Sequence, residues 1–220
     1  MELSTQRRLA EAVASWLHFE FCCHRGKMLD ESALKSCVGQ VLSSLPAPPG
    51  SLTHTNYAHP DIAREKGPGR QRAVDYAVVT LTDKGIRPKI TYAIECKWAG
   101  SSHTTDKTII RDLTRLSLIH DRSKDTECYF VVAGEKREMG KLLAKSIFNG
   151  PAKSSGLIPK GGNGALKLRN VSNVLCQAAS AIYPTCATIG MTPSGLVFTP
   201  KNNSEFTFQA FAWRIGNKAV

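Results

Sequence analysis

The chain has 220 residues, 42% of them hydrophobic, and 29 basic residues against 18 acidic ones, for a net charge of +11. A chain of that size and composition buries a real core, which excludes a wholly disordered chain. Its longest uncharged stretches are broken by Ser, Asn, Gly and Pro and so offer no membrane-spanning helix, and it shows no basic-then-apolar leader, so a soluble, cytoplasmic protein without a membrane partner is expected.

The first predicted element is a helix to about Phe21, with Leu9, Val13, Trp16, Leu17 and Phe21 at helical spacing. Asp30 or Ser32 can cap a second helix whose apolar face is Leu34, Val38, Val41, Leu42 and Leu45, and Pro46 ends it. Residues 52–59 read as a short strand, and the Gly/Pro-rich basic stretch AREKGPGRQR at 63–72 as a loop. The β-branched and aromatic runs AVDYAVVTL (73–81) and KITYAIECKWA (89–99) flank Asp83, Gly85 and Pro88, which are turn residues, so they predict a hairpin. A helix follows, capped by Thr104 or Thr105 and apolar at Ile109, Leu113, Leu116 and Ile119. ECYFVVAG (127–134) then reads as a buried strand, and strand–helix–strand implies a right-handed crossover with a parallel pair.

The segment 150–168 is rich in Gly, Ser and Lys and reads as a flexible connection. A helix near 169–182 and short strands in TCATIGM, GLVFTP and EFTFQAFAWRI close the chain. The expected fold is α/β, one domain over 1–220. It has a mixed sheet with an αβββαβ core at about 31–134, flanked by helices, plus a basic C-terminal extension of a helix and short strands at about 150–220.

The charge is uneven. Residues 151–220 hold seven basic side chains and one acid, Glu205, and a second basic cluster lies in the loop as Arg64, Lys66, Arg70 and Arg72. Such excess favours a polyanionic partner, with DNA the first expectation and RNA the alternative. The seven cysteines form no CxxC and no zinc-ligand spacing, and are expected as reduced core thiols.

Glu95 and Lys97 lie on an apolar strand that has no structural need of them. With the hairpin turn centred near Gly85, opposed residues sum to about 170, which sets Asp75 across from Glu95 with Cβ atoms roughly 5 Å apart. Alternation adds Lys97 to the face of Glu95, beside the small Ala73, Ala77 and Ala93, while Val74, Tyr76, Val78, Tyr92, Ile94 and Trp98 fall on the other face. Two adjacent carboxylates repel unless a cation lies between them, and an all-oxygen set suits Mg²⁺ or Mn²⁺ better than zinc. The Cys96 backbone carbonyl would complete that set. Lys97 would hold or deprotonate an attacking water, or stabilise a phosphate oxygen. On the next helix, Arg111 and Arg115 share a face as candidate phosphate contacts, and Asp112 can pair with Arg115.

Asp75, then Glu95-Cys96-Lys97, on a hairpin followed by a β-α-β unit, resembles the PD-(D/E)XK nuclease superfamily, with its restriction-endonuclease-like fold. The resemblance covers about half of the chain. It departs from the literal motif in that Val74 precedes Asp75, while the Pro60-Asp61 pair lies too far upstream for the hairpin. The resemblance implies metal-dependent phosphodiester hydrolysis, most simply by a DNA endonuclease of restriction, phage-defence or repair type. Asp75 and Glu95 would be metal ligands and Lys97 the helper of the water. It also implies a carboxylate from the helix before the sheet, for which Glu31 is the first candidate, ahead of Glu20 and Glu11. Double-strand cutting by that family generally takes two active sites, which would make the protein a homodimer. The competing readings are a non-catalytic nucleic-acid-binding or interaction module on the same scaffold, and a non-nuclease enzyme with a carboxylate-rich Mg²⁺ site.

Overall fold

The computed structural model describes residues 4–62, 72–81, 88–145, 147–148, 158, 164–194 and 207–216. Helix α1 (Thr5–Cys22) buries Leu9, Val13 and Leu17. Helix α2 (Glu31–Ser43) starts where the Asp30 side chain accepts a hydrogen bond from Ala33 N at 2.9 Å. Strands β1 (Ser51–Tyr57), β2 (Val74–Thr80) and β3 (Lys89–Trp98) follow, then helix α3 (Asp106–Arg122), strand β4 (Glu127–Glu135) and helix α4 (Lys136–Leu143). Beyond these lie strand β5 (Gly164–Lys167), helix α5 (Asn173–Ser180), strand β6 (Thr188–Pro193) and strand β7 (Phe208–Ile215).

From α2 to β4 the order is αβββαβ, as the sequence suggests. The capping box at the start of α3 joins Thr105 to Thr108. The seven strands form one mixed sheet in the order β1-β2-β3-β4-β7-β6-β5, in which only β3 and β4 run parallel. The C-terminal segment is therefore no appendage: β7 pairs with β4 over eight residues and brings β6 and β5 into the same sheet. FQAFAWRI is apolar on nearly every residue because both of its faces are covered. The helix expected over 169–182 is shorter, α5, and preceded by a 3-10 turn at Leu168–Asn170. The strand expected in GLVFTP and the hairpin turn at 82–87 lie outside the described residues.

Two cores sandwich the sheet. Helices α1 and α2 pack with Tyr76, Val78, Tyr92, Ile94 and Cys96 on one face. Helix α3 packs with Ala77, Ala93, Phe130, Val132 and Trp213 on the other. Val74 belongs to the α3 side, not with Tyr76 as strict alternation predicts. Asn56 of β1, which the β1–β2 register from Thr55↔Tyr76 to Tyr57↔Val74 sets beside Asp75, has φ 47°. The strand is thus distorted at Asp75.

Where β3 leads into its crossover, the chain passes close to β4. Ala99 N donates to Ala133 O at 2.8 Å, and a Cβ on Gly134 would come within 2.9 Å of Ala99 Cβ and 3.3 Å of Ala99 N. Gly134→Ala is expected to destabilise the fold by about 1–3 kcal/mol through overpacking. Urea unfolding would measure it, and an unchanged midpoint would mean that the two strands separate there without cost.

All seven cysteines are free thiols, and Cys96 is buried against α1 and α2. No helix among the described residues is long and apolar enough to cross a membrane.

Candidate active site

The hairpin register is the one counted from the sequence. Tyr76↔Ile94, Ala77↔Ala93 and Val78↔Tyr92 each sum to 170, and a shift appears only beyond Val78. The same register carried one residue on sets Asp75 opposite Glu95. There the β2–β3 ladder ends and a side chain takes over: Cys96 N donates to Asp75 Oδ2 at 2.8 Å. The strand distortion at Asn56 and Asp75 turns this carboxylate toward α2. Its other oxygen, Oδ1, lies 2.8 Å from Lys35 Nζ. Lys35 also reaches Glu31 Oε1 at 3.0 Å, one helical turn back. Glu31, the helix carboxylate named from the sequence, thus joins the site through Lys35. Glu20 instead pairs with Arg25 at the end of α1, and Glu11 pairs with Arg7.

Glu95 goes the other way, toward α3. Its Oε1 lies 2.8 Å from Arg115, yet accepts no aligned hydrogen bond. Lys97 Nζ lies 2.7 Å from Asp112 Oδ2, and Asp112 also contacts Arg115. The result is a quartet, Glu95–Arg115–Asp112–Lys97, strung between β3 and α3, with Glu95 only 2% and Asp112 only 3% exposed. Where the sequence suggests one cation shared by two carboxylates, the structure gives each carboxylate its own: Lys35 from α2 for Asp75, Arg115 from α3 for Glu95. The space over Ala77 and Ala93 is part of the α3 core.

The fields in this cluster are strong. Burial, then repulsion from Asp112, pushes the Glu95 carboxyl well above the ordinary carboxylate range, with Arg115 opposing the rise. Burial works against the charge on Lys97, but Asp112, with Glu95 and Asp75, outweighs it and the ammonium's pKa is raised. Burial likewise opposes the charge on Lys35, and Asp75 and Glu31 together overcome it. Desolvation, reinforced by Asp75 and Glu95, pushes the Cys96 thiol upward. Its sulfur is therefore no ligand or nucleophile, and only its backbone is available to the site.

A carboxyl with a higher pKa in the folded than in the unfolded state stabilises the fold fully only below its unfolded value, near pH 4.3. That contribution is lost as pH rises through the folded pKa. Glu95→Gln is neutral at every pH and escapes the loss. Thermal melts should show this variant gaining on the wild type from mildly acidic to neutral pH. A difference independent of pH would mean that the Glu95 pKa is not raised.

Beside the quartet is a cavity of about 400 Å³, bounded by Arg72, Lys97, Arg111, Asp112, Arg115 and the segment just after α5. Arg72 donates to Ala181 O at 2.8 Å and so ties the end of the basic loop to that segment. Of the six basic residues named from the sequence, Arg72, Arg111 and Arg115 gather here, whereas Arg64, Lys66 and Arg70 lie outside the described residues. Asp61 is structural: Ser123 Oγ donates to its Oδ2 at 2.6 Å and Arg122 to its carbonyl at 2.9 Å, which pins the turn before β2 to the end of α3.

Sequence reasoning missed Lys35, and gave Asp112 no partner beyond Arg115. The i,i+4 spacing of Glu31 and Lys35 was a signal for the first. Nothing local could have joined Asp112 to Lys97, fifteen residues away on another element.

Hard-oxygen donors from adjoining strands suit Mg²⁺ or Mn²⁺, and Glu95 Oε1, buried without a hydrogen bond, retains lone pairs for a cation. Among the described residues no group of three or more His, Cys, Asp or Glu gathers as a metal cluster. Comparison with protein families, curated proteins and solved structures finds no match to this chain.

Proposed function

We propose that the protein is a Mg²⁺- or Mn²⁺-dependent phosphodiesterase of the PD-(D/E)XK kind, acting on nucleic acid and, given the basic balance of the chain, on DNA as an endonuclease. The observation that carries this reading is the end of the β2–β3 ladder. Asp75 binds the N–H of Cys96 there, between Glu95 and Lys97, and Lys97 lines a cavity bounded by three arginines. A divalent ion on Asp75, Glu95 and the Cys96 carbonyl would acidify a bound water and offset charge on the phosphorane.

The chain's own residues divide the remaining work. Arg111 and Arg72 hold phosphate oxygens at the cavity. Lys97, kept protonated by Asp112, acts as a hydrogen-bond donor and fixed positive charge toward the phosphate or the water, and not as the base. Glu31 and Lys35 orient Asp75 from α2.

A second reading, a nucleic-acid-binding module without catalysis, draws support from one feature: each ionic side chain at the strand ends already has an opposite partner. The two separate in one experiment. Supercoiled plasmid, linear duplex, single-stranded DNA and RNA are incubated with the full chain and Mg²⁺ or Mn²⁺. Metal-dependent breakage that disappears in Asp75→Ala supports the nuclease. Retention of all four substrates under every metal, with binding intact, favours the module.

A further inference from the structure

We infer that the cavity between α3 and the segment after α5 binds a phosphate group, and that its occupancy is coupled through Arg115 to metal binding at Asp75 and Glu95. The inference rests on the proposed site, but it concerns two binding equilibria and requires no cleavage.

Charge comes first. Among the described residues Arg72, Lys97, Arg111 and Arg115 face the cavity with Asp112 as the one acid, so a tetrahedral dianion would meet a surplus of positive charge. At about 400 Å³ the cavity admits a phosphate and part of a nucleoside. Arg111 is exposed, and the basic end of Arg72 is tethered at the rim by the Ala181 carbonyl. These are groups placed at an entrance.

Arg115 belongs to both sites. It bounds the cavity, and it lies 2.8 Å from Glu95 Oε1. Its Nε is buried and makes no hydrogen bond, so this guanidinium has donor capacity that neither Glu95 nor Asp112 uses. While Arg115 neutralises Glu95, a divalent cation there would face a fixed positive charge at contact distance. An anion in the cavity supplies Arg115 with another partner and offsets its charge. Glu95 is then left to the metal. By the same coupling the metal raises affinity for the anion, because the linkage is reciprocal. In the apo state the pairing keeps Glu95 compensated; with substrate it would confine metal loading to chains that already hold a phosphate.

Isothermal titration of Mn²⁺ into the full chain tests this, without and with saturating sulfate, a tetrahedral dianion that does not precipitate Mn²⁺. Wild type is expected to bind Mn²⁺ about tenfold more tightly with sulfate, within the 5- to 150-fold span usual for coupled sites. Arg115→Gln should bind Mn²⁺ tightly in both conditions, with less than about twofold enhancement left. Arg111→Ala, a surface change on the same helix, should weaken sulfate binding and so raise the sulfate concentration at which Mn²⁺ binding is enhanced. Equal Mn²⁺ affinity of the wild type with and without sulfate would overturn the inference, as would no Mn²⁺ binding in either condition. A wild type that couples the two ions yet cleaves no substrate would sink the nuclease reading and leave this one standing. Metal-dependent cleavage without coupling would do the reverse.

Discussion

Lys97→Ala is expected to slow metal-dependent phosphodiester cleavage by about 10²- to 10⁴-fold, the range lost with a positioned proton donor or oxyanion-stabilising group. The variant should still fold, because Asp112 keeps its contact with Arg115 after the ammonium is gone. Affinity for a DNA duplex should fall far less, since the other cations of the cavity remain. A Lys97 variant that cleaves at the wild-type rate would remove Lys97 from the mechanism. The role assigned to Lys97 adds a second readout. Asp112 leads the carboxylates that raise the Lys97 pKa against burial, ahead of Glu95 and Asp75. Asp112→Asn should therefore bring the alkaline loss of activity to lower pH, while a Lys97 acting as a neutral base would gain activity over the same interval.

The parts of the site that could be read from the sequence are those set by strand geometry. A hairpin's constant sum needs only a turn and two apolar flanks, so the counted register holds as far as Tyr76↔Ile94, where the ladder ends one step short of Asp75 and Glu95. The direction of each side chain was less legible. Asp75 departs from simple alternation beside Asn56, whose positive φ lies on a strand that β2 meets only after folding. Lys35 and Arg115 reach the carboxylates from helices on opposite faces of the sheet, and helix periodicity reveals an apolar face without saying which strand it covers. The same limit hid the C-terminal half. FQAFAWRI reads as a buried strand, but its pairing with β4 spans more than seventy residues of chain. Helix α4 and strand β5 were missed because eight and four residues are too few to display a period.

Arg115→Met is expected to cost about 3–5 kcal/mol of folding stability, the usual consequence of removing one partner from a buried ion pair. The guanidinium touches both Glu95 and Asp112, so its loss leaves two carboxylates in a nearly dry space with Lys97 as the remaining cation of the quartet. Arg111→Met, one turn earlier on an exposed face of the same helix, should shift stability by no more than about 0.5 kcal/mol. The pH dependence identifies the mechanism. Arg115 is the group that opposes the rise of the Glu95 pKa, so removing it lets that pKa climb further. Protonating Glu95 then relieves the repulsion, and the deficit of the variant should shrink as pH falls from neutral toward the ordinary carboxylate range. Urea unfolding at several pH values, with and without Mn²⁺, measures both effects. Mn²⁺ should stabilise Arg115→Met more than wild type, because a cation that binds the folded state restores the charge the substitution removed. A loss that is the same at every pH and indifferent to Mn²⁺ would assign Arg115 a packing role, and the carboxylates of β2 and β3 would then lose their claim to a metal.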